Sequence, residues 1–210
     1  MNTNLIRKTH RGYDAIHLED AFFNDQRVIF FGEEVTAESA QQLISQLITL
    51  EMQKPAEPIL LYINSPGGSV TDGMAVIDIM NSISSPVYTC CLGTAASMAA
   101  VILAAGEKGH RTVSENSRVM IHEPLISGGL KGSATTIERT AKSILETKKM
   151  INTLLSQYTG KPIREINKAT SFDNFMNAKD AVAFGLCDSI STALDFKGFN
   201  TDNRKELEEI

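Results

Sequence analysis

Three short apolar runs constrain this chain more than any other feature: Val28 to Phe31, Ile59 to Ile63 and Val87 to Leu92. Gly32 ends the first, Pro58 precedes the second and Pro86 opens the third. The second, a continuous apolar run, suits a strand covered on both faces, and the other two also read as strands. Between the first two, Thr36 stands as an N-cap with Glu38 in the first turn of a helix. Leu43, Ile44, Leu47, Ile48 and Met52 mark one face of that helix. A second helix is expected from about Asp72 to Ile83, between the second and third runs. Such alternation predicts an α/β fold with a largely parallel sheet wound by right-handed crossovers.

The pattern continues with more irregular spacing. A small-residue stretch, Gly93 to Ala100, leads into a helix ending at Gly106. Short strands are expected near Arg111 to Val113 and Arg118 to Ile121. After His122-Glu123-Pro124, the stretch from Ser127 to Gly132 reads as a flexible loop, and a long helix then runs from Ala134 to Tyr158 and stops at Gly160. Pro162 fits the N1 position of a shorter helix. A last helix, Ala178 to Phe184, is closed by Gly185 before a final strand. The 210 residues read as one domain, with an N-terminal segment over 1–20 and an acidic tail over 195–210. Residues 126–160 form a projecting helical arm. The arm is longer than a sheet crossover requires, which suggests packing on a partner subunit.

Charge and cysteine usage remove several function classes. The net charge is −5 with no basic patch, so a nucleic-acid partner is not expected. No apolar stretch reaches the roughly 20 residues that span a bilayer, so no membrane role is expected either. Cys90, Cys91 and Cys187 offer no disulfide framework and no CxxC zinc pair. With no secretory signal visible before Asp14, these thiols point to a reducing, cytoplasmic setting.

Four places carry candidate chemistry. Ser97 follows a strand and opens a helix among small neighbours, where crowded backbone and free helix N–H groups meet. G-x-S-x-G is absent, so the α/β-hydrolase elbow is not indicated, and a plain small residue in an Ala-rich helix fits the same letters. His122 directly follows an expected strand, where α/β proteins place site residues; a structural histidine fits the same position. The Pro66-Gly67-Gly68 turn permits close backbone approach, so an N–H there shares an oxyanion with the Met98 N–H in one reading and is an ordinary turn in the other. Asp173, between Phe172 and Phe175, reads as a partly buried carboxylate needing an imidazole partner, or as a cap for the Ala178 helix. Asp and Glu total 25, and chain order does not choose among them.

Taken together, the segments resemble the Clp protease proteolytic-subunit family over about residues 12–190. Leu61 to Val70 looks like its oxyanion segment, Gly93 to Ala99 its nucleophile segment, Met120 to Pro124 its histidine segment, and Asp173 to Met176 followed by Ala178 its aspartate segment. The resemblance implies a ClpP/crotonase-like α/β fold with stacked sheets and a helical handle. It implies a serine endopeptidase with a Ser97–His122–Asp173 triad and oxyanion donors at Gly68 and Met98. Extended polypeptide would pair with the exposed backbone of Gly128, Gly129 and Leu130. No cofactor or metal is implied; ATP is used by a partner unfoldase, and no Gly-x-x-x-x-Gly-Lys-[Ser/Thr] loop occurs here. Self-association into heptameric rings stacked in pairs is implied as well.

The chain departs from the family pattern in places. His-Glu-Pro stands where His-Gln-Pro is usual, and Ile126 and Ser127 look like an insertion. Ser171 and Phe172 occupy positions where an acidic residue and an arginine usually join the rings, and Leu60 and Ser82 replace aromatics of the unfoldase-docking pocket. These departures support, as an alternative, a paralogue that works only with another subunit. A crotonase-type acyl-CoA enzyme is a third reading, since that chemistry also uses two backbone oxyanion donors.

Overall fold

The computed structural model describes residues 4–9, 12–126, 129 and 131–191. Its elements in chain order are β1 (Asn4–Thr9), β2 (Gly12–His17), α1 (Leu18–Gln26), β3 (Val28–Phe31), α2 (Ala37–Gln53), β4 (Ile59–Ser65), α3 (Val70–Ser82) and β5 (Val87–Ala96). They continue with α4 (Met98–Ala104), β6 (Arg111–Ser114), β7 (Arg118–Ile121), α5 (Ala134–Thr159), α6 (Ile163–Ala169), β8 (Asn174–Asn177), α7 (Ala178–Phe184) and β9 (Ser189–Ser191). The architecture is mixed α/β, with a two-stranded antiparallel pair, β1–β2, beside a seven-stranded sheet. No described helix is long and apolar enough to cross a membrane.

The large sheet runs β3-β4-β5-β6-β9 and is parallel along that path. β4 is buried along most of its length and its apolar side chains serve both faces, as in parallel sheets covered on both sides. β5 is the longest strand and forks the sheet. Thr89 to Cys91 pair with β6, whereas Thr94 to Ala96 pair with β7. The fork falls at Gly93, where φ is 86° and a Cβ would lie 2.7 Å from Asn64 Oδ1. Ser117 Oγ accepts the Gly93 N–H at 2.8 Å and donates to the Cys91 carbonyl at 3.1 Å, so the junction keeps its hydrogen bonds. The two leaves expected as stacked sheets are thereby one hydrogen-bonded sheet joined along β5. β7 then pairs antiparallel with β8, the exception to the parallel pattern.

Helix α2 begins where expected. Thr36 Oγ1 accepts the Ser39 N–H and Ser39 Oγ accepts the Thr36 N–H, a reciprocal capping box. Its buried stripe is Ala40, Leu43, Leu47 and Leu50, not the face through Ile48 and Met52. Met52 is 78% exposed. Two apolar stripes lie side by side on this helix: the one centred on Leu47 is buried, while of the other Ile44 still packs on the core and Ile48 and Met52 are exposed. Helix α3 begins at Val70, two residues earlier than expected, because Ser69 Oγ accepts the Asp72 N–H. Pro162 is the N-cap of α6 rather than its first helical residue. The α1 helix was not anticipated at all; its C-terminus turns through Arg27, at φ 53°.

Helix α5 has two unlike halves. Its buried residues, Ile151, Asn152 and Leu155, lie in the C-terminal half, and its first turns are mostly exposed. The acidic tail over 195–210 lies outside the described residues, as do 1–3 and 10–11 of the N-terminal segment.

Candidate active site

Ser97 sits between β5 and α4 with φ 55° and ψ −123°, a conformation that non-glycine residues rarely adopt. Such a residue stores about 1–3 kcal/mol of strain and persists only where its surroundings over-determine it. Here the Ser97 N–H donates to the Met120 carbonyl at 2.8 Å, and the Ser97 carbonyl accepts from Ala100 at 3.0 Å. The turn is sharp and strained even though G-x-S-x-G is absent. Its crowding is relieved by a neighbour distant in sequence. A Cβ on Gly67 would lie 2.4 Å from the Ala96 carbonyl oxygen, 2.8 Å from Ser97 Cβ and 2.9 Å from the Met98 nitrogen.

The glycine turn is itself held from below. Val35 N–H donates to the Gly67 carbonyl and Ser69 N–H donates to the Val35 carbonyl, both at 2.8 Å. Ser65 Oγ accepts the Gly67 N–H at 3.2 Å and donates to the Glu33 carbonyl at 2.5 Å. Gly68, at φ 146°, leaves no room for a Cβ, which would meet the Val35 carbonyl at 2.3 Å. No acceptor among the described residues takes the Gly68 N–H or the Met98 N–H.

Gly67→Ala is therefore expected to damage both fold and site. The φ of 88° and the backbone contacts leave no low-cost relaxation, and a loss of about 2–3 kcal/mol is expected. Gly109 also has positive φ, at 92°, but opens onto free space, so Gly109→Ala isolates the dihedral cost at about 1 kcal/mol. Thermal unfolding of both variants checks this; equal midpoints would remove the crowding argument.

His122 and Asp173 meet because of strand register. The β7–β8 ladder ends on the pair Ile121 and Asn174, so the next residue on each side is His122 and Asp173. His122 Nδ1 lies 3.1 Å from Asp173 Oδ1, and His122 Nε2 lies 2.8 Å from Ser97 Oγ. With Nδ1–H donating to the carboxylate, Nε2 is left to accept from the serine hydroxyl. The imidazole is largely buried, but the Asp173 side chain is 62% exposed. The partly buried carboxylate expected from its aromatic neighbours is corrected by this, because Phe172 and Phe175 themselves point outward, at 85% and 61% exposed. The capping role for the α7 helix belongs to Asn177, whose Oδ1 accepts the Asp180 N–H.

A small cleft of about 20 Å³ opens beside Ser97 and His122. Val70, Met98, Val101, Ile121 and Pro124 line it, and α5 contributes Ile151 and Leu155. The projecting arm expected over residues 126–160 does not account for these two contacts. Their signal is an i, i+4 apolar pair, though Met150 and Leu154 form a second such pair beside it. Gly129 is exposed with φ 77° and lies in no strand, while Gly128 and Leu130 lie outside the described residues. Leu60 is buried, Tyr62 stacks on Phe30 at 5.3 Å, and exposed Ser82 donates to the Ile79 carbonyl.

A serine, a histidine and a carboxylate hydrogen-bonded in that order, with two backbone N–H groups nearby, form the arrangement that serine hydrolases share on unrelated folds. Residues 11–193 match the Clp protease family, and the chain belongs to that family, among Clp-type peptidases.

Proposed function

We propose that this chain is a serine endopeptidase that cleaves polypeptide through an acyl-enzyme on Ser97. The observation that carries the proposal is the 2.8 Å contact between Ser97 Oγ and His122 Nε2, with Nδ1 of the same ring 3.1 Å from Asp173. Ser97 Oγ attacks the scissile carbonyl carbon while His122 Nε2 takes its proton. The oxyanion accepts from the Gly68 and Met98 N–H groups, which are already fixed before charge develops. Asp173 holds the ring tautomer and stabilises the imidazolium. His122 then protonates the leaving amine and the C–N bond breaks. Water, deprotonated by His122, hydrolyses the ester, and the proton returns to Ser97.

The cleft gives the reading a substrate class. Its walls are apolar apart from Ser97 and His122, which favours an apolar over a charged side chain next to the cleaved bond. Gly128 to Leu130 are proposed as the edge along which extended substrate pairs. The working assembly is proposed to be heptameric rings stacked in pairs around an internal chamber, fed by a Clp unfoldase that uses ATP. Exposed apolar side chains such as Met52, Leu145 and Phe172 support burial against other copies.

The test is intact-mass spectrometry after treatment with a fluorophosphonate. One adduct on the native protein and none on Ser97→Ala supports the proposal. No adduct on the native protein, alone or mixed with a second Clp subunit, would sink it.

A further inference from the structure

Helix α5 reaches the site by more than its cleft-lining residues. Glu123 follows His122 directly and is held at both ends. Its backbone N–H donates to the Thr170 carbonyl at 2.8 Å, and its carboxylate makes an ion pair with Lys148 of α5. One turn further along α5, the fully buried Asn152 donates to Asn167 Oδ1 at 2.7 Å, and Thr170 Oγ1 lies 3.4 Å from its Oδ1. Lys148 and Asn152 thus grip, from one helix face, the segment that delivers His122 and the turn that delivers Asp173.

We infer that Lys148 and Glu123 are positioning residues for His122, with the ion pair fixing the imidazole over Ser97. The inference rests on the peptidase reading given above. The magnitudes separate this role from a merely structural one. Both side chains are about one-third exposed, at 32% and 38%, and such pairs contribute only about 0–1 kcal/mol to stability. A shift of about 1 Å in a catalytic group, by contrast, costs up to about 100-fold in rate. Breaking the pair should therefore lower turnover far more than it lowers stability. The groups that face this stretch are Asp173 on His122, Lys148 on Glu123, and the neutral Thr170 and Asn152.

The experiment compares Lys148→Met, Glu123→Gln and the charge-reversed Glu123→Lys/Lys148→Glu protein with the native chain. Readouts are hydrolysis of a short fluorogenic peptide, thermal midpoint, and a crystal structure of Lys148→Met. The expected result is a kcat lower by about tenfold in Lys148→Met, with KM and thermal midpoint near native values and recovery in the charge-reversed protein. In the crystal, His122 Nε2 should leave hydrogen-bond distance of Ser97 Oγ. Native kcat in Lys148→Met, or a charge-reversed protein no better than the single variants, overturns the inference. If the native protein hydrolyses nothing, the peptidase reading fails by itself, and the crystal still decides: an unmoved imidazole overturns the positioning role and a displaced one supports it.

Discussion

Ser97→Ala is expected to lower kcat for peptide hydrolysis by about 10⁵- to 10⁶-fold, with the fold intact. The alanine leaves both oxyanion donors and the apolar cleft in place, so weak substrate binding should persist. His122→Ala should cost nearly as much, because the hydroxyl 2.8 Å from Nε2 then has no base. The double variant should be no worse than either single one, since the two groups act as one device. Asp173→Asn should cost less than either, because Asp173 orients the ring without touching the reacting atoms. Steady-state kinetics on the four proteins checks this. Additive losses would mean that the serine and histidine do not work together, and the endopeptidase reading would be withdrawn.

The second large effect concerns stability and lies away from the site. Arg111 is buried at the start of β6. Its Nε donates to Asp188 Oδ2 at 2.9 Å and its Nη2 to Oδ1 at 2.5 Å, a bidentate pair. Its Nη1 also donates to the Ala104 carbonyl at 3.2 Å and the Tyr158 carbonyl at 3.0 Å, tying together the ends of α4 and α5. Arg111→Met leaves Asp188 charged and without its guanidinium, at an expected cost of about 3–5 kcal/mol. For a chain of this size that is a fall of about 10 °C in the thermal midpoint. Arg111→Met with Asp188→Leu should recover much of the loss, because no charge is then stranded.

The same pair predicts a pH dependence. Burial pushes the Asp188 carboxyl up, but hydrogen bonds from the Arg111 side chain, the Arg111 and Gly109 backbone N–H groups and the guanidinium charge outweigh it. Its folded value therefore lies below the ordinary 3.8. A lowered carboxyl contributes stability that is present above the unfolded value and is lost as pH falls through the folded one. Native protein should lose this increment as pH falls below about 4, and Asp188→Asn should lack it. Equal acid profiles for the two would remove the argument.

Much of the strand and helix order was legible because it depends on local chemistry. The runs at β3, β4 and β5 are mostly apolar, and strands of that kind are largely covered on both faces, as β4 is. Thr36, Gly160 and Gly185 signal helix ends through cap geometry that acts over a few residues. Ser97 and His122 were legible as residues at the ends of strands. The α1 helix was not, since its sequence lacks both a strong cap and a clear apolar stripe.

What only the tertiary structure decided depends on contacts between distant segments. Asp173 was one carboxylate among many until the β7–β8 register set it beside His122. Which stripe of α2 faces inward depended on the sheet beneath it, so Met52 is exposed although its periodicity fits. Phe172 and Phe175 read as cover for a carboxylate, yet both project outward from the described chain. Gly67 read as a turn glycine; its closest constraint is the Ser97 turn, thirty residues away in sequence. Sequence by itself determined the strands, the helices and the residue types available for chemistry, because propensity and periodicity act within a few residues. The tertiary structure decided which of those residues meet, because hydrogen-bond reach is about 3 Å and sequence distance carries no information at that scale.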